Sequence, residues 1–600
     1  MGIPIHSRWG PPLEQYVLRY NRTSVRGQEV LENDIMSSAR SCMEIIATIS
    51  KEEDEIKFDL LARQVTLEML GCLLFLSSSV QGVLYLAQPP LIRGCIRLMK
   101  IIKVDGVVSP LSYEYGYLCF NIAKMALGVC LVEKINKQHI GELMKRIWAN
   151  YQTKDNPSIL TEQLSEIFLN EIAKSSPREA RCDWIFGWSD PPAHGGHSNL
   201  IVAESDALDL MNVLWNDRKA LLKSLSLTYT PGALTILLLI WQYMLRNGLQ
   251  HELPAPPLRT PLLGPFLDLS WRFVLVATPS DYGFILPMVF AAMSHLGKLV
   301  KGAVDVEDSR TIINAYINGI MPIENAVSFR QATLVICHNL PRFVVHNILP
   351  GTEELFPVLV KSMLGRMWET IFWEGLEMEH IMPPMGILAG GVEDLLLFLQ
   401  IHAPRLPPQS PVMQAILEEM ADNDLLGLVG FSVHRLYPSR ESDTTGLYKD
   451  LSSCIEFRNA VRSMIAALAQ ASSTSVAPPY FREYATEWVK HLQYNDVLLQ
   501  MTGKGDNASS WATFRQELLW DVIRMIGSSD DAKECLESRL RISCNYARCP
   551  NPSWAGYAQL CCSSCATSPE GASYCSSRCQ ILDWKSEGQK THQGLCPRSN

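Results

Sequence analysis

Apolar residues recur every three or four positions along most of the chain, which is the period of an α-helix that buries one face. The segments 158–174, 358–373 and 511–526 show this pattern most clearly. In the first segment the apolar stripe consists of Ile159, Leu160, Leu164, Ile167, Phe168 and Ile172. The strict alternation that is typical of strands is rare, and no regular succession of strands and helices follows. The pattern therefore predicts a mainly α fold.

Segments rich in proline, glycine or small polar residues interrupt the helical pattern and predict its breaks. They lie near 184–200, 253–266, 404–411 and 471–480. The pair Gly390-Gly391 predicts a further turn. We expect an irregular N-terminal segment at 1–30, an α-helical body at 31–530 and a small domain at 540–600. Many helices between short breaks favour a multi-helical array of the armadillo or HEAT kind. An irregular bundle is the alternative, because no repeat of about forty residues can be aligned.

One uncharged stretch raises the question of a membrane span. Residues 69–92 contain no charged side chain between Glu68 and Arg93, and a segment of that length could cross a bilayer. Three serines, two glutamines and the pair Pro89-Pro90 weaken that interpretation. They favour two buried helices, or a helix and a turn.

Composition and charge restrict the class of protein further. The chain has 600 residues, of which 47% are hydrophobic and 19% charged, and this describes a globular protein with more than one domain. A net charge of -9 argues against direct nucleic-acid binding, which needs a positive surface. No secretory signal is visible at the start. We therefore expect an intracellular protein, in the nucleus or the cytoplasm, whose cysteines bind metal and do not form disulfides.

The cysteines are concentrated near the C-terminal end of the sequence. Eight of the seventeen fall within the last sixty residues. Seven of them and one histidine form the pairs Cys544/Cys549, Cys562/Cys565, Cys575/Cys579 and His592/Cys596. In the last two pairs the ligands are four residues apart, which places them on one face of a helix. The second pair has the two-residue gap of a zinc knuckle. Four pairs make two tetrahedral sites, one of four cysteines and one of three cysteines and a histidine.

The residues around these pairs match a known pattern. They are Tyr574-Cys575-Ser576-Ser577-Arg578-Cys579-Gln580, then Asp583-Trp584, then His592 and Cys596. On these residues the segment 544–596 resembles a MYND-type zinc finger, a small cross-brace fold that binds two zinc ions. The resemblance implies that the pairs interleave. One zinc would take Cys544, Cys549, Cys575 and Cys579, and the other would take Cys562, Cys565, His592 and Cys596.

One ligand position has two candidates, Cys561 and Cys562. Cys561 could replace Cys562 and would then be separated from Cys565 by three residues. We favour Cys562 because a two-residue gap is the knuckle geometry. The whole segment is poor in aliphatic residues and cannot bury much core, so zinc would supply most of its folding energy.

The resemblance also implies a function, that of a zinc-binding adaptor protein that engages other proteins. MYND-type fingers take up short peptide segments that contain proline and leucine. Gln580 and Trp584 lie on the helix that helps to shape the peptide groove in this family. An indole offers a large, rigid contact surface, and packing of Trp584 against the zinc knuckles is the alternative. We expect peptide or protein partners, and no membrane. The sequence does not name the partner or the oligomeric state.

An enzyme is the alternative class. MYND-type fingers accompany SET-domain lysine methyltransferases, and an unrecognised active site could also lie in the helical body. The Asn-His-Ser/Cys core and the Gly-rich cofactor turn of a SET domain are absent, and the helical pattern contradicts its strand-rich fold. No nucleophile elbow, phosphate-binding loop or dinucleotide fingerprint occurs. We therefore expect a protein that is not an enzyme and assign no catalytic residue.

Overall fold

The structure is a computed structural model, and it describes most of the chain. The described residues are 5–20, 33–135, 137–150, 155–174, 182–189, 199–248, 262–277, 281, 288, 304–319, 340–372, 384–407, 409–434, 444–471, 481, 488, 490–492, 494–495, 506–525, 560–561, 573–574 and 577–585. Of these residues 81% are helical, so the prediction of a mainly α protein is confirmed. The chain forms two compact units, Met1–Ala332 and Thr333–Asn600.

The described part of the first unit is built from helices and one small ribbon. The helices are α1 (Leu13–Tyr20), α2 (Asn33–Ile49), α3 (Glu55–Gln64), α4 (Leu67–Phe75), α5 (Val80–Tyr85), α6 (Pro89–Lys100), α7 (Glu114–Ile135), α8 (Lys137–Asn150), α9 (Asn156–Lys174), α10 (Glu204–Asn216), α11 (Arg218–Leu227), α12 (Leu234–Gly248), α13 (Leu263–Val276) and α14 (Val306–Gly319). Short 3-10 turns occur at Leu76–Ser78, Pro110–Ser112 and Asp183–Phe186. Strands β1 (Lys103–Val104) and β2 (Val107–Val108) pair antiparallel between α6 and α7.

Helix α7 forms the centre of the first unit. Nineteen consecutive residues, from Glu114 to Val132, are buried. Helices α4, α6, α8, α9 and α12 pack against it, as expected for a helix whose residues are mostly apolar around its whole circumference. Nearby, α6 approaches α2 so closely that a Cβ atom at Gly94 would lie 2.5 Å from the carbonyl oxygen of Ile46. Only glycine fits this contact without movement of one helix.

A buried ionic network joins α13 to α14. The Arg272 guanidinium donates to both carboxylate oxygens of Asp308, at 2.6 and 2.8 Å, and to Asp268 at 2.7 Å. None of the three side chains is more than 3% exposed. Removal of one partner from such a network leaves an uncompensated charge in a dry interior. The network therefore makes the contact between these two helices sensitive to single substitutions.

Another buried carboxylate, that of Asp217, lies between α10 and α11. Asp217 accepts hydrogen bonds from the Leu111 backbone N–H at 2.7 Å and from the Ser109 hydroxyl at 2.5 Å. Burial raises the pKa of Asp217 to about 7, although both hydrogen bonds act to lower it. The folded protein therefore retains the proton of this group well above the pH at which the unfolded chain releases it.

We expect the Asp217→Asn variant to lose part of the pH dependence of stability that the wild-type protein shows. An unfolded aspartate releases its proton near pH 3.8, whereas folded Asp217 holds it to about pH 7. Stabilisation by the protonated group is therefore complete below pH 3.8 and is lost as the pH rises through 7. The slope contributed by one proton approaches about 1.4 kcal/mol per pH unit.

Urea-unfolding midpoints of wild type and Asp217→Asn, measured from about pH 3.8 to about pH 7, show how the stability of each protein depends on pH. Asp209→Asn is the matched control, because Asp209 is an exposed residue of α10 that pairs with Lys100. Equal slopes for Asp217→Asn and wild type would contradict the assignment of the proton to Asp217.

The second unit has the same helical character in its described residues. Its helices are α15 (Leu340–His346), α16 (Phe356–Phe372), α17 (Pro384–Ile401), α18 (Pro411–Asp422), α19 (Leu425–His434), α20 (Thr444–Ala471), α21 (Asp506–Met525) and α22 (Ser577–Lys585). Short 3-10 turns occur at Glu353–Leu355 and Ala403–Arg405, and strands β3 (Leu560–Cys561) and β4 (Ser573–Tyr574) form a ribbon. Helix α17 packs along α20, α16 packs on α18, and α21 packs on α19 and α20.

The turn predicted at Gly390-Gly391 is wrong. Both glycines lie inside helix α17 and both are buried. A glycine in a helix interior costs about 1 kcal/mol relative to alanine. The packing of α17, which is strongly apolar and lies along α20, outweighs that cost.

The uncharged stretch 69–92 is divided among several short elements. It covers most of α4, the turn at Leu76–Ser78, α5 and the start of α6. Among the described residues, no single helix combines the length and the apolar character that a membrane crossing requires. Glu55–Gln64 and Leu67–Ser78 have the required length and apolar character only when they are taken together, and the chain bends by 69° between them.

Candidate functional site

The structure describes one of the eight favoured zinc ligands, Cys579, and the alternative ligand Cys561. The other seven lie outside the described residues: Cys544, Cys549, Cys562, Cys565, Cys575, His592 and Cys596. Within the described part of the chain, no three His, Cys, Asp or Glu side chains come together in a group that could hold a metal ion. The zinc sites therefore remain a prediction.

The described part of the C-terminal tail is a short ribbon and a helix. Strand β3 pairs antiparallel with β4, with Leu560 opposite Tyr574 and Cys561 opposite Ser573. Helix α22 follows and packs against β4. The sequence motif that begins at Tyr574 thus runs from the ribbon into the helix. The helix carries Cys579 together with Gln580 and Trp584, the two residues predicted to contact a partner.

A buried hydrogen bond joins the ribbon to the helix. The Tyr574 hydroxyl donates to the Asp583 carboxylate at 2.8 Å, and both side chains are buried. Buried polar groups need such partners, because an unsatisfied one costs about 1–3 kcal/mol. The sequence motif includes both residues, but sequence reasoning assigned neither a role. Their separation of nine residues gives no periodic signal that would pair them.

Cys579 lies on the inner side of α22. It is buried, and the Lys490 ammonium lies 3.8 Å from its sulfur. Lys490 belongs to the helical stretch 490–492 of the same unit. An ammonium is a suitable neighbour for a metal-binding thiolate, because it donates to the sulfur and offsets its negative charge. Sequence reasoning missed Lys490, since nothing in the chain pattern links it to the tail.

The outer side of α22 exposes large apolar side chains. Ile581 is 52% exposed and Trp584 is 40% exposed, while Gln580 is partly buried. Ile581 and Trp584 are three residues apart and therefore share a face of the helix. Ile581 was not predicted as a contact residue, although its helical spacing from Trp584 was available in the sequence. The helix thus has a buried side that includes a predicted zinc ligand and an exposed apolar side.

The donor set of the tail fits zinc, because thiolates and an imidazole are the ligands of closed structural zinc sites. The buried position of Cys579 beside an ammonium fits the same chemistry. No protein-family model, curated protein or solved structure matches the chain. The likeness of the tail to a MYND-type finger therefore rests on the residues of this sequence alone.

Proposed function

We propose that this chain is a zinc-binding adaptor protein whose C-terminal finger binds short peptide segments of partner proteins. The observation that supports the proposal most directly is the two-sided helix α22. Its inner side carries Cys579 and Asp583, which are buried, and its outer side exposes Ile581 and Trp584. An exposed apolar strip on a small domain is typical of a contact surface.

Two zinc ions would hold the fold of the tail in this proposal. By analogy with MYND-type fingers, one would bind Cys544, Cys549, Cys575 and Cys579, and the other would bind Cys562, Cys565, His592 and Cys596. Cys561 remains the alternative to Cys562. Closed sites of this kind shape a domain and leave no open position for catalysis. The contact with the partner is then made by side chains alone.

The strip on α22 suits a peptide that contains leucine or proline. Ile581 and Trp584 would cover the apolar side chains of the peptide, and the indole would lose little conformational entropy in doing so. The carboxamide of Gln580 can both donate to and accept from a peptide backbone. The strip is small, so the affinity should be modest, with a Kd of about 1 μM or weaker.

The helical body completes the proposal. We propose that it is a scaffold of stacked helices, of the armadillo or HEAT kind or as an irregular bundle, and that it has no catalytic role. The protein would act inside the cell, in the nucleus or the cytoplasm. The body would present the finger to its partners and would contribute contact surface of its own.

Substitution of the exposed strip should weaken peptide binding and leave zinc in place. We expect the variants Ile581→Ser and Trp584→Ala of the full chain to bind about tenfold or more weakly, because anchor residues at interfaces typically contribute about 2 kcal/mol. The probes are short proline- and leucine-containing peptides selected from a displayed library on the wild-type chain. Fluorescence anisotropy gives the affinity, and metal analysis verifies the zinc content.

Ile56→Ser is the matched control, because Ile56 lies on α3 and is 76% exposed. This variant should bind the selected peptides as the wild type does. The proposal fails if the library yields no binder. It fails equally if the two α22 variants keep wild-type affinity.

A further inference from the structure

The first unit contains a cleft that the proposed function does not use. Its volume is about 360 Å³, which is at the small end of the range for ligand clefts in proteins, about 300–1,000 Å³. It lies between the end of α11 and the C-terminal half of α14, and the last residue of α13 also lines it. A cleft of this size can take up a short segment of chain.

One face of α14 forms a polar wall of the cleft. The residues of this wall are Thr311, Asn314, Ala315 and Asn318. Their spacings of three, four and seven residues place them on one face of the helix. The Thr311 hydroxyl donates to the Glu307 carbonyl oxygen at 2.9 Å. Asn314 and Asn318 are exposed, and among the described residues neither carboxamide takes part in a hydrogen bond. Both carboxamides are therefore available to a ligand.

The spacing of these two carboxamides fits the backbone of an extended peptide. Asn314 and Asn318 are four residues apart, which is about 6.0 Å along a helix axis. Alternate residues of an extended chain are about 6.6 Å apart. Each carboxamide has both donors and an acceptor, so each can pair with the N–H and C=O of one peptide residue. A peptide that runs along α14 therefore engages both carboxamides with residues two positions apart.

The remainder of the cleft is largely apolar. Leu225 and Leu227 line it from α11, Val276 from α13 and Ala315 from α14. Leu227 is 42% exposed, so part of this apolar surface is open. Successive side chains of an extended chain point to opposite faces. The side chain between the two paired residues can therefore enter the apolar part while its neighbours stay outside, and its burial adds hydrophobic stabilisation.

The charge of the cleft suits an uncharged peptide. Of the described residues that line the cleft, Lys223 alone is charged. The Lys223 ammonium is 3.0 Å from Glu14 and 3.1 Å from Glu307, so these carboxylates offset its charge. A charged side chain in the apolar part would lose its water without gaining a partner. The cleft is therefore complementary to a segment whose central side chain is aliphatic.

We propose that this cleft binds an extended, uncharged peptide segment of a partner protein. One aliphatic side chain of the segment lies against Leu225 and Val276, and the backbone on either side of it pairs with Asn314 and Asn318. This is a second peptide site, separate from the strip on α22. The assignment of the segment to a partner protein rests on the proposed adaptor function, whereas the binding itself does not.

Titration of the full-length protein with blocked tripeptides, followed by saturation-transfer NMR, tests this proposal. Acetyl-Ala-Val-Ala-amide should bind saturably. The same peptide with N-methyl groups on both alanine nitrogens should bind about tenfold or more weakly, because it cannot donate to the carboxamides. Aspartate or lysine in place of valine should weaken binding to a similar degree. Equal binding of the methylated peptide, preference for a charged peptide, or absence of acetyl-Ala-Val-Ala-amide binding would each overturn the proposal.

Two variants place the peptide in the cleft. Asn314→Ala and Asn318→Ala remove exposed carboxamides from a helix and should fold normally. Each should weaken binding of acetyl-Ala-Val-Ala-amide about fivefold or more and reduce the difference between this peptide and its methylated form. Asn459→Ala is the matched control, because Asn459 is an exposed asparagine of α20. Wild-type affinity in both cleft variants would refute the site.

The α22 variants separate this site from the proposed finger site. Ile581→Ser and Trp584→Ala should bind acetyl-Ala-Val-Ala-amide as the wild type does. Retained binding in both supports the cleft, whatever the result of the library selection for the finger. Loss of binding in either, together with wild-type affinity in Asn314→Ala, would assign the tripeptide to the finger and refute the cleft site.

Discussion

Removal of zinc from the full-length protein should unfold the C-terminal tail and leave the helical body folded. On the proposed zinc assignment, metal coordination would supply most of the folding energy of the tail, whose sequence is poor in aliphatic residues, about 10–16 kcal/mol per ion by comparison with zinc-finger peptides. The body is held by apolar packing, as in α7, and we expect it to stay folded. Native mass spectrometry should count two zinc ions before chelation and none afterwards. Trypsin should then cleave at Arg578 and Lys585, which lie within α22.

Single substitutions distinguish the cysteines that bind zinc from those that do not. Cys575→Ser should lose at least one zinc ion and make the tail sensitive to trypsin. Cys561→Ser should keep both ions, whereas Cys562→Ser should not, and this pair of variants decides which cysteine is the ligand. A tail that resists trypsin after chelation, or that is found cross-linked by disulfides, would contradict the zinc assignment and the adaptor function with it.

The second large effect is expected in the first unit. Asp308→Ala should lower the free energy of unfolding of this unit by about 3–5 kcal/mol, because it leaves the Arg272 guanidinium buried without one of its two carboxylate partners. The matched control is Glu307→Ala, which removes the adjacent acid of the same helix. Glu307 forms exposed pairs with Lys219 and Lys223, and such pairs contribute about 0–1 kcal/mol.

Thermal and urea unfolding of Asp308→Ala and Glu307→Ala measure how much stability each substitution removes. A second variant shows that the effect comes from the unpaired charge and not from the lost side-chain volume. Replacement of the whole network, Arg272→Met with Asp268→Leu and Asp308→Leu, should recover much of the stability, since apolar residues of similar size often replace a buried ionic network without loss. Equal unfolding midpoints for Asp308→Ala and Glu307→Ala would show that the network contributes no more than a surface pair.

The helices were the most predictable part of the fold. The apolar stripes at 158–174, 358–373 and 511–526 correspond to the observed helices Asn156–Lys174, Phe356–Phe372 and Asp506–Met525. A helical period is a local property of the chain and survives folding. The turn predicted at Gly390-Gly391 failed for the opposite reason, because packing between distant segments overruled a local preference.

Contacts between distant residues were not predictable from the sequence. Arg272 and Asp308 belong to different helices, and Asp217 accepts from Leu111, more than one hundred residues earlier. No periodicity connects such positions. The same limit applies to the candidate site. The spacing of cysteines predicts a set of zinc ligands, which stays a prediction, whereas the Lys490 contact with Cys579 and the bond from Tyr574 to Asp583 depend on the folded arrangement.

The complete burial of α7 constrains how this protein can change over evolutionary time. A helix with a solvent-exposed face can accept many replacements on that face, but the segment from Glu114 to Val132 has no exposed face. Any gain or loss of side-chain volume at these positions disturbs the packing of the helices that surround α7. Accepted replacements in α7 should therefore come together with compensating ones in α4, α6, α9 or α12, so that related chains would vary there in matched pairs.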